Sequence, residues 1–315
     1  NIGDVKKGEK QMIYEYWLAG IKEITDLKKQ KLREVYGSGK AIYYIEETKL
    51  DKLRFLNEKD VAILKNAKKD TELEEKWRRT EEKRIQFIPY FLKTYPEKLK
   101  YITDPPYALY VLGQLPDEKR KSAAIVGARN CTAYGEQMAL QYGKSLAEAG
   151  IQIISGMARG IDGAGQRGAL NSSWAKESGV TYAVLGCGVD VCYPRDHIGL
   201  YMDIIEHGGG ILSEFPPGTP PLAMNFPMRN RIISGLSDAV LVMEARVRSG
   251  SLITADMALE QGKDVYALPG PLDSPLSAWC YHLIQQGAGI LLNPKNLLEE
   301  WGIETNVLCR NTEIK

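Results

Sequence analysis

Arginine and glycine recur together in short segments in the second half of the chain. Arg129 follows Gly127 after one intervening residue, and Arg159 lies close behind Gly156. A guanidinium group binds two phosphate oxygens at once, and glycine lets the main chain approach a ligand closely. The combination predicts a phosphate-binding pocket rather than a set of scattered surface arginines.

A second group of candidate residues lies further along the chain in one short segment. Phe226 is followed closely by Arg229 and Arg231. An aromatic ring that stacks on a base, beside cations that hold the backbone, is typical of single-strand binding, and each stacked base contributes about 1–3 kcal/mol. Phe226 also suits a core position at the start of a helix, and the sequence leaves both roles open.

Motifs that would indicate catalysis do not occur in the sequence. There is no Walker A loop, no G-x-G-x-x-G fingerprint after the first strand of the regular region and no G-x-S-x-G nucleophile elbow. The acids nearest the predicted pocket, Asp162 and Glu214, are predicted to cap a helix or to hold an arginine in place. We therefore predict a binding protein without catalytic residues.

The five cysteines form neither a metal-binding nor a disulfide pattern. No C-x-x-C pair occurs, and Cys187 and Cys192 lack a second pair. Such thiols are typical of reduced cytosolic protein, and we predict no metal and no cofactor. No apolar run approaches the roughly 20 residues of a membrane helix, and no signal peptide is visible, so we expect a cytoplasmic protein without a membrane partner.

From residue 122 onward, strand-like apolar segments alternate with helical segments. Near-continuous Val, Ile and Leu runs are typical of buried parallel strands, and this alternation predicts a doubly wound, mostly parallel α/β sheet. The glycine- and arginine-rich segments follow the strands, so they should meet at the carboxyl edge, where open α/β sheets bind ligands. The predicted strand–helix pairs are 123–126 with 135–149, 151–154 with 162–170, 181–185 with 198–206, 211–212 with 227–236, 239–243 with 252–261, and 265–268 with 279–286.

The first part of the chain has a different composition. Residues 1–100 carry 24 Lys and Arg against 18 Asp and Glu, whereas the rest carries 17 against 22, within a net charge of +1. Helical spacing in residues 1–84 predicts a small all-α domain. This domain is either an ordinary bundle or a helix–turn–helix-like module that contacts DNA or another protein. We expect the α/β domain to span 85–302 and residues 303–315 to form a tail.

Seven segments within residues 105–292 occur in an order that identifies a family. They are Gly127-Ala128-Arg129 through Tyr134-Gly135, Ser155 through Asp162, Tyr193-Pro194, Ser213-Glu214-Phe215-Pro216, Phe226 through Ile233, Ser249-Gly250-Ser251-Leu252 with Thr254-Ala255, and Leu268-Pro269-Gly270. In this order they resemble the DprA (Smf) family of DNA-processing proteins. Several independent motifs in sequence make the resemblance specific.

The resemblance implies a fold, a ligand and partners. It implies an extended Rossmann fold behind a small SAM-like or helix–hairpin–helix domain. Similar proteins bind single-stranded DNA, form homodimers through the Rossmann domain and help to load the recombinase RecA in natural transformation, and they are not established enzymes. The DNA- and phosphate-binding positions that it implies are Gly127, Arg129, Ser155, Gly156, Arg159, Phe226, Arg229, Asn230, Arg231, Ser249, Gly250 and Ser251.

The sequence departs from the family pattern at several positions. Gln166 occupies a position where many members have histidine, and Ala223 precedes Phe226 where a basic residue is common. Trp279 and Tyr281 replace the usual glycine and asparagine. Many members also carry a C-terminal winged-helix module, and no such module is visible in this sequence.

Two other functions compete with single-strand binding. One is a nucleotide-binding enzyme of the lysine-decarboxylase-like phosphoribohydrolase type, but its P-G-G-x-G-T-x-x-E motif is replaced by Pro269-Gly270-Pro271-Leu272. The other is a nucleotide-sensing Rossmann domain. The apolar stretch 290–301 is a candidate dimer surface and is equally compatible with a core position.

Overall fold

The computed structural model describes residues 2–176, 179–246 and 250–303, and for residues 2–10, 176 and 250–252 it describes the main chain alone. The first part of the chain is helical up to Glu82. Its helices are α1 (Ile2–Gly20), α2 (Asp26–Tyr36), α3 (Gly39–Tyr43), α4 (Glu47–Leu50), α5 (Glu58–Ala67) and α6 (Leu73–Glu82).

Local capping residues explain where several of these helices begin. The Thr25 hydroxyl accepts the Lys28 N–H at the start of α2. At the start of α5, Asn57 and Asp60 form a capping box, in which each side chain accepts the other residue's N–H. The predicted all-α region contains α5, whose start the sequence analysis did not locate although this capping box was a readable signal for it.

One mixed sheet dominates the rest of the structure. Within the described residues it has nine strands in the order β1-β2-β6-β5-β4-β3-β7-β8-β9. Strand β2 pairs antiparallel with both β1 and β6, and all other neighbours pair in parallel. The strands are β1 (Gln86–Pro89), β2 (Ala108–Gly113), β3 (Ser122–Val126), β4 (Gln152–Ser155), β5 (Thr181–Val184), β6 (Gly210–Ser213), β7 (Ala239–Val242), β8 (Asp264–Ala267) and β9 (Gly289–Ile290).

Helices connect the parallel strands and cover both faces of the sheet. The predicted doubly wound α/β fold is confirmed, with an antiparallel pair added at one edge. Strand β9 and helix α13 were absent from the sequence prediction because they are short. The connecting helices are α7 (Ala133–Glu148), α8 (Ile161–Leu170), α9 (Ile198–Glu206), α10 (Asn225–Leu236), α11 (Gly250–Glu260), α12 (Ala278–Gln285) and α13 (Pro294–Glu300).

The helical region and the sheet share a hydrophobic core. Tyr16 of α1 contacts Tyr110 of β2 with ring centroids 5.7 Å apart, in an edge-to-face arrangement. Beside this pair, the buried carboxylate of Glu15 accepts the Tyr107 hydroxyl at 2.5 Å. Asp26 accepts the Tyr107 N–H at 3.0 Å. Apolar contacts and buried hydrogen bonds together hold the helices against the sheet.

The chain direction across the sheet reverses between β3 and β7. From β3 the chain continues through β4, β5 and β6 on one side, and from β7 it continues through β8 and β9 on the other. The loops after these two central strands therefore diverge and leave a crevice at the carboxyl edge. None of the described helices has both the length and the apolar character needed to cross a bilayer.

Candidate nucleic-acid interface

The crevice at the carboxyl edge of the sheet contains a cavity of about 630 Å³. Loops after all six strands from β3 to β8 contribute residues to its wall, as the sequence predicted. The volume lies in the range of small-ligand pockets. We call it the switch-point cavity, and the side chains on which its chemistry depends are Arg129, Asp162, Tyr193, Phe226, Asn230 and Arg246.

Two arginines on the cavity wall are exposed. Arg129 follows β3 and Arg246 follows β7, so they approach the crevice from its two sides. Within the described part of the chain, neither guanidinium has a hydrogen bond or an ion pair, and that of Arg129 lies over the face of the Phe226 ring. Two unpaired cations across a crevice provide a site for an anionic ligand that can span it.

An aromatic cluster lies beside these cations. The half-buried Phe226 ring lies 5.7 Å from the Arg129 guanidinium carbon and 5.8 Å from that of Arg229. The Tyr193 ring lies 5.5 Å from the Phe226 ring, at an angle of 42°. Because a Cβ at Gly186 would come within 3.0 Å of Phe226, the ring packs closely on that glycine. Phe226 thus combines a packing role with access to the cavity.

Arg229 lines the same cavity but is only 4% exposed. Its Nη1 donates to the carbonyl oxygen of Gly156 at 2.8 Å and to that of Val184, so the guanidinium joins the ends of β4 and β5. Burial lowers the pKa of Arg229 to about 10, while the nearby Asp162 carboxylate acts in the opposite direction. Arg229 is therefore charged at neutral pH, and its donors are directed largely at the protein main chain.

Gly156 provides the space that Arg229 occupies. A Cβ at this position would lie 2.5 Å from Nη1 of Arg229. We expect Gly156→Ala to lower the free energy of unfolding by about 1–3 kcal/mol, the usual cost of overpacking. Urea denaturation monitored by circular dichroism measures this change. Gly199→Ala is the matched control because a Cβ there meets open space, and equal stability of the two variants would contradict the packing role of Gly156.

Asp162 and Ser155 hold the loop after β4 in place. Asp162 is buried, and its Oδ2 accepts the Gly156 N–H at 3.2 Å. Burial raises the pKa of the Asp162 carboxyl, and Arg229 opposes the increase. The Ser155 hydroxyl is fully buried and donates to the Ile125 carbonyl at 2.7 Å. These contacts orient the loop, and the Ser155 side chain lies outside the cavity wall.

Arg231 forms a buried ion pair away from the cavity wall. Its Nη1 and Nη2 donate to the two carboxylate oxygens of Glu214 at 2.8 and 2.6 Å, and its Nε donates to the Asp104 carbonyl at 2.7 Å. Burial raises the pKa of Glu214, and the ion pair with Arg231 opposes the increase. Glu214 holds an arginine in place, which is one of the two roles predicted for it.

Gly127 lines the cavity, whereas Arg159 does not, although it follows the lining residue Ala158 in the sequence. Arg159 is exposed and makes a bidentate ion pair with Asp196, with N–O distances of 2.8 and 3.2 Å. An exposed pair of this kind is weak, so Arg159 can exchange partners at little cost. Gly127 lines the cavity, and a Cβ there would lie 2.7 Å from Ile161, so no side chain fits.

Three further predicted positions, Ser249, Gly250 and Ser251, are consecutive in the sequence. Ser249 lies outside the described residues, and so does the side chain of Ser251. Gly250 is the first residue of α11. From the same helix, Thr254 reaches the cavity wall.

The match to a family model covers the whole of this region. The model describes DNA recombination-mediator protein A and matches residues 86–302, which include the described sheet and the loops around the switch-point cavity. The chain belongs to this family. The resemblance to DprA that the sequence motifs indicated is thereby confirmed.

Individual members of the family show how far the similarity extends. Protein Smf of Escherichia coli is 48% identical over 212 residues, which are 67% of this chain and 55% of that protein. The crystal structure of DprA from Streptococcus pneumoniae is 33% identical, with a TM-score of 0.75, covering 91% of this chain and 97% of that one. DprA from Helicobacter pylori, studied for its single-stranded DNA binding mode, is 29% identical, with a TM-score of 0.60, covering 70% of this chain and 97% of that one.

The departures from the DprA pattern have different structural consequences. Gln166 is fully buried and donates to the Tyr182 carbonyl at 3.1 Å, so this substitution affects the core rather than the cavity. Ala223 lies on the cavity wall and adds no charge there. Tyr281 donates its hydroxyl to the Gly270 carbonyl at 2.5 Å, and Trp279 packs against His282. Neither aromatic residue lines the switch-point cavity.

Two residues of the site were missed by the sequence reasoning. Arg246 lines the cavity and was not named, although it follows the strand beside the reversal point. Glu244 is buried and accepts the Thr132 N–H at 2.8 Å and the Thr132 hydroxyl at 2.6 Å, which fixes the start of α7. Among the described residues, no group of three or more His, Cys, Asp or Glu is arranged to hold a metal ion.

Proposed function

We propose that this protein binds single-stranded DNA in the switch-point cavity without cleaving it, as part of DNA processing in transformation and recombination. The observation that carries the proposal is the pair of exposed, unpaired arginines, Arg129 and Arg246, on opposite sides of a crevice that also presents Phe226. Arginines that bind phosphates, next to an aromatic ring that stacks on a base, are typical of a site for single-stranded nucleic acid. Membership of the DprA family supports the same ligand.

The rest of the site suits binding more than chemistry. The two acids predicted at the pocket are held by structural hydrogen bonds, and Asp162 is buried while the Glu214 side chain is 10% exposed. We therefore propose roles for Arg129, Arg246, Asn230 and Phe226 in contact with DNA. Arg229 and Arg231 support the loops behind them.

Fluorescence anisotropy with labelled oligo-dT tests the proposal. We expect affinity to increase with strand length and to decrease steeply with salt, because backbone phosphates dominate the contact. Matched duplex and mononucleotides should compete poorly. The cavity volume also suits a single nucleotide. Saturable mononucleotide binding without strand binding would instead support the nucleotide-binding alternatives.

Base stacking on Phe226 gives a second test of the same site. We expect Phe226→Leu to weaken oligo-dT binding by about 1–3 kcal/mol, while Phe226→Tyr retains most of the affinity, because stacking needs a ring and leucine keeps the contact with Gly186. The loss should disappear when the strand is replaced by an abasic one. An equal loss on both strands would show that Phe226 acts by shaping the cavity.

We further propose that the protein is a cytoplasmic homodimer that passes the strand to RecA, as the family resemblance implies. For the dimer, the sheet edge at β9 is a candidate surface, since Ile290 and Leu292 are exposed whereas Leu291, Leu297 and Leu298 are buried. Sedimentation equilibrium tests the dimer, and a monomer at every concentration would contradict it. The rate of RecA filament nucleation on DNA, with and without the protein, tests strand transfer.

A further inference from the structure

A second large cavity lies where the N-terminal helices meet the α/β domain. It measures about 670 Å³ and is bounded by α1, α5 and α6 on one side and by loops after β5 and β6 on the other. We call it the junction cleft. Helices from one part of the chain and loops from another form its walls together, which is a common location for ligand sites.

One proline-rich segment, Pro216–Pro221, separates the two cavities, and we call it the strap. Residues 216–220 line the junction cleft, and Pro221 lines the switch-point cavity. Four prolines restrict its main chain. Hydrogen bonds also fix it, because the Gly218 N–H donates to Asp190 at 2.7 Å and the Thr219 carbonyl accepts the Gly188 N–H at 2.9 Å. The strap therefore borders both cavities.

Cations line the junction cleft beside the strap. Lys22 donates to the Thr219 hydroxyl at 3.2 Å and has no ion pair within the described part of the chain. Lys76 and Lys83 also line the cleft, where their ammonium groups lie 2.7 Å from Asp70 and 2.6 Å from Asp190.

Arg79 adds a fourth cation and Glu23 a third acid to the lining. Arg79 pairs with Glu75 at 2.7 Å, so Lys76, Lys83 and Arg79 each have an acidic partner. Lys22 is therefore the lining cation in the best position to bind a phosphate. Partial burial lowers the pKa of Lys22, and the neighbouring Glu23 carboxylate acts in the opposite direction.

We propose that the junction cleft is a second subsite for single-stranded DNA, which takes backbone phosphates of the same strand after it crosses the strap. This inference rests on the proposed function of the switch-point cavity and extends it to the N-terminal helices. Trp17 and Tyr16 are buried in the cleft floor, so the contact is with the backbone rather than by stacking. The occupant is a strand because the strap joins the cleft to the cavity proposed to bind one, and because Lys22 has no ion pair within the described residues.

Oligo-dT of increasing length, from about 4 to about 16 nucleotides, separates the two subsites. With the full chain, we expect Lys22→Ala to leave the affinity for the shortest strands unchanged. For the longest strands, Lys22→Ala should lower the affinity about fourfold at about 0.15 M salt. The slope of log affinity against log salt should become shallower by about 0.7, the value for one phosphate contact on a single strand. Lys22→Glu should have a larger effect with the same length dependence.

The matched control is Lys31→Glu, on the exposed side of α2 and outside the cleft lining. It should behave as the unmodified protein at every length. Asp70→Asn should have the opposite effect on the affinity for long strands. The variant keeps an acceptor for the Glu72 N–H but removes the charge that pairs with Lys76. Long strands should then bind more tightly and short strands equally well.

The outcomes distinguish failure of this inference from failure of the proposed function. Equal affinity of Lys22→Glu and the unmodified protein at all lengths would overturn the second subsite while leaving the first intact. An equal loss at all lengths would also overturn it, because Lys22 would then act on the switch-point cavity. If the unmodified protein binds no strand at any length, the proposed function itself is wrong.

Discussion

Arg129→Ala is expected to weaken binding of oligo-dT about tenfold to a hundredfold while leaving the melting temperature unchanged. The loss follows from one charge-assisted phosphate contact, worth about 1.5–3 kcal/mol. Stability should not change because the Arg129 side chain is exposed and, within the described residues, has no hydrogen bond or ion pair. Fluorescence anisotropy gives the affinity, and differential scanning fluorimetry gives the melting temperature.

The loss at Arg129 should have the signature of a backbone contact. Affinity should fall similarly for every base composition, and the slope against log salt should flatten by about 0.7. Arg195→Ala is the matched control. Arg195 is exposed in the segment that follows β5, at the same edge of the sheet, but it does not line the cavity. A loss confined to particular sequences would show that Arg129 reads bases, contrary to the proposal.

Arg231→Met is expected to cost about 3–5 kcal/mol of the free energy of unfolding, because it leaves the Glu214 carboxylate buried without its partner. The side chains of the pair are 7% and 10% exposed. Strand binding at a temperature where the variant is folded should change little, since Arg231 does not line the cavity. Urea denaturation and anisotropy measure the two quantities.

Two control variants distinguish the effect of leaving a buried charge unpaired from the effect of losing an arginine. The double variant Arg231→Met, Glu214→Leu should recover most of the stability, since an apolar pair can replace a buried ion pair. Arg159→Met removes an equally bidentate pair with Asp196, but one whose side chains are 63% and 53% exposed, and should leave stability nearly unchanged. If both single variants lost the same stability, burial would not explain the effect at Arg231.

The alternation of strands and helices after residue 122 was readable because it depends on local pattern. A buried parallel strand is apolar along its whole length, and each helix has its own apolar face and capping residues. Short elements carry too few residues for such a pattern, which is why β9 and α13 were not predicted. The strand–loop order also placed Gly127 and Gly156 at the carboxyl edge correctly, since parallel strands share their direction.

The role of each arginine was decided by the tertiary structure. In the sequence, Arg129, Arg229 and Arg231 are the same residue type in similar glycine-rich or polar surroundings. The structure assigns them different roles. Arg229 donates hydrogen bonds to main-chain carbonyls at the ends of β4 and β5, and Arg231 forms an ion pair with Glu214, whereas Arg129 remains exposed.

The sequence by itself determined the fold class, the family and the edge of the sheet where the glycine- and arginine-rich loops meet. The tertiary structure decided which arginines remain exposed without a hydrogen bond or ion pair among the described residues, and it brought Arg246 to the same cavity as Arg129. It also placed the N-terminal helices beside the strap to form the junction cleft. The physical reason is the range of the interactions. Periodicity, glycine content and capping act over a few residues, whereas burial and ion pairing depend on segments distant in the chain.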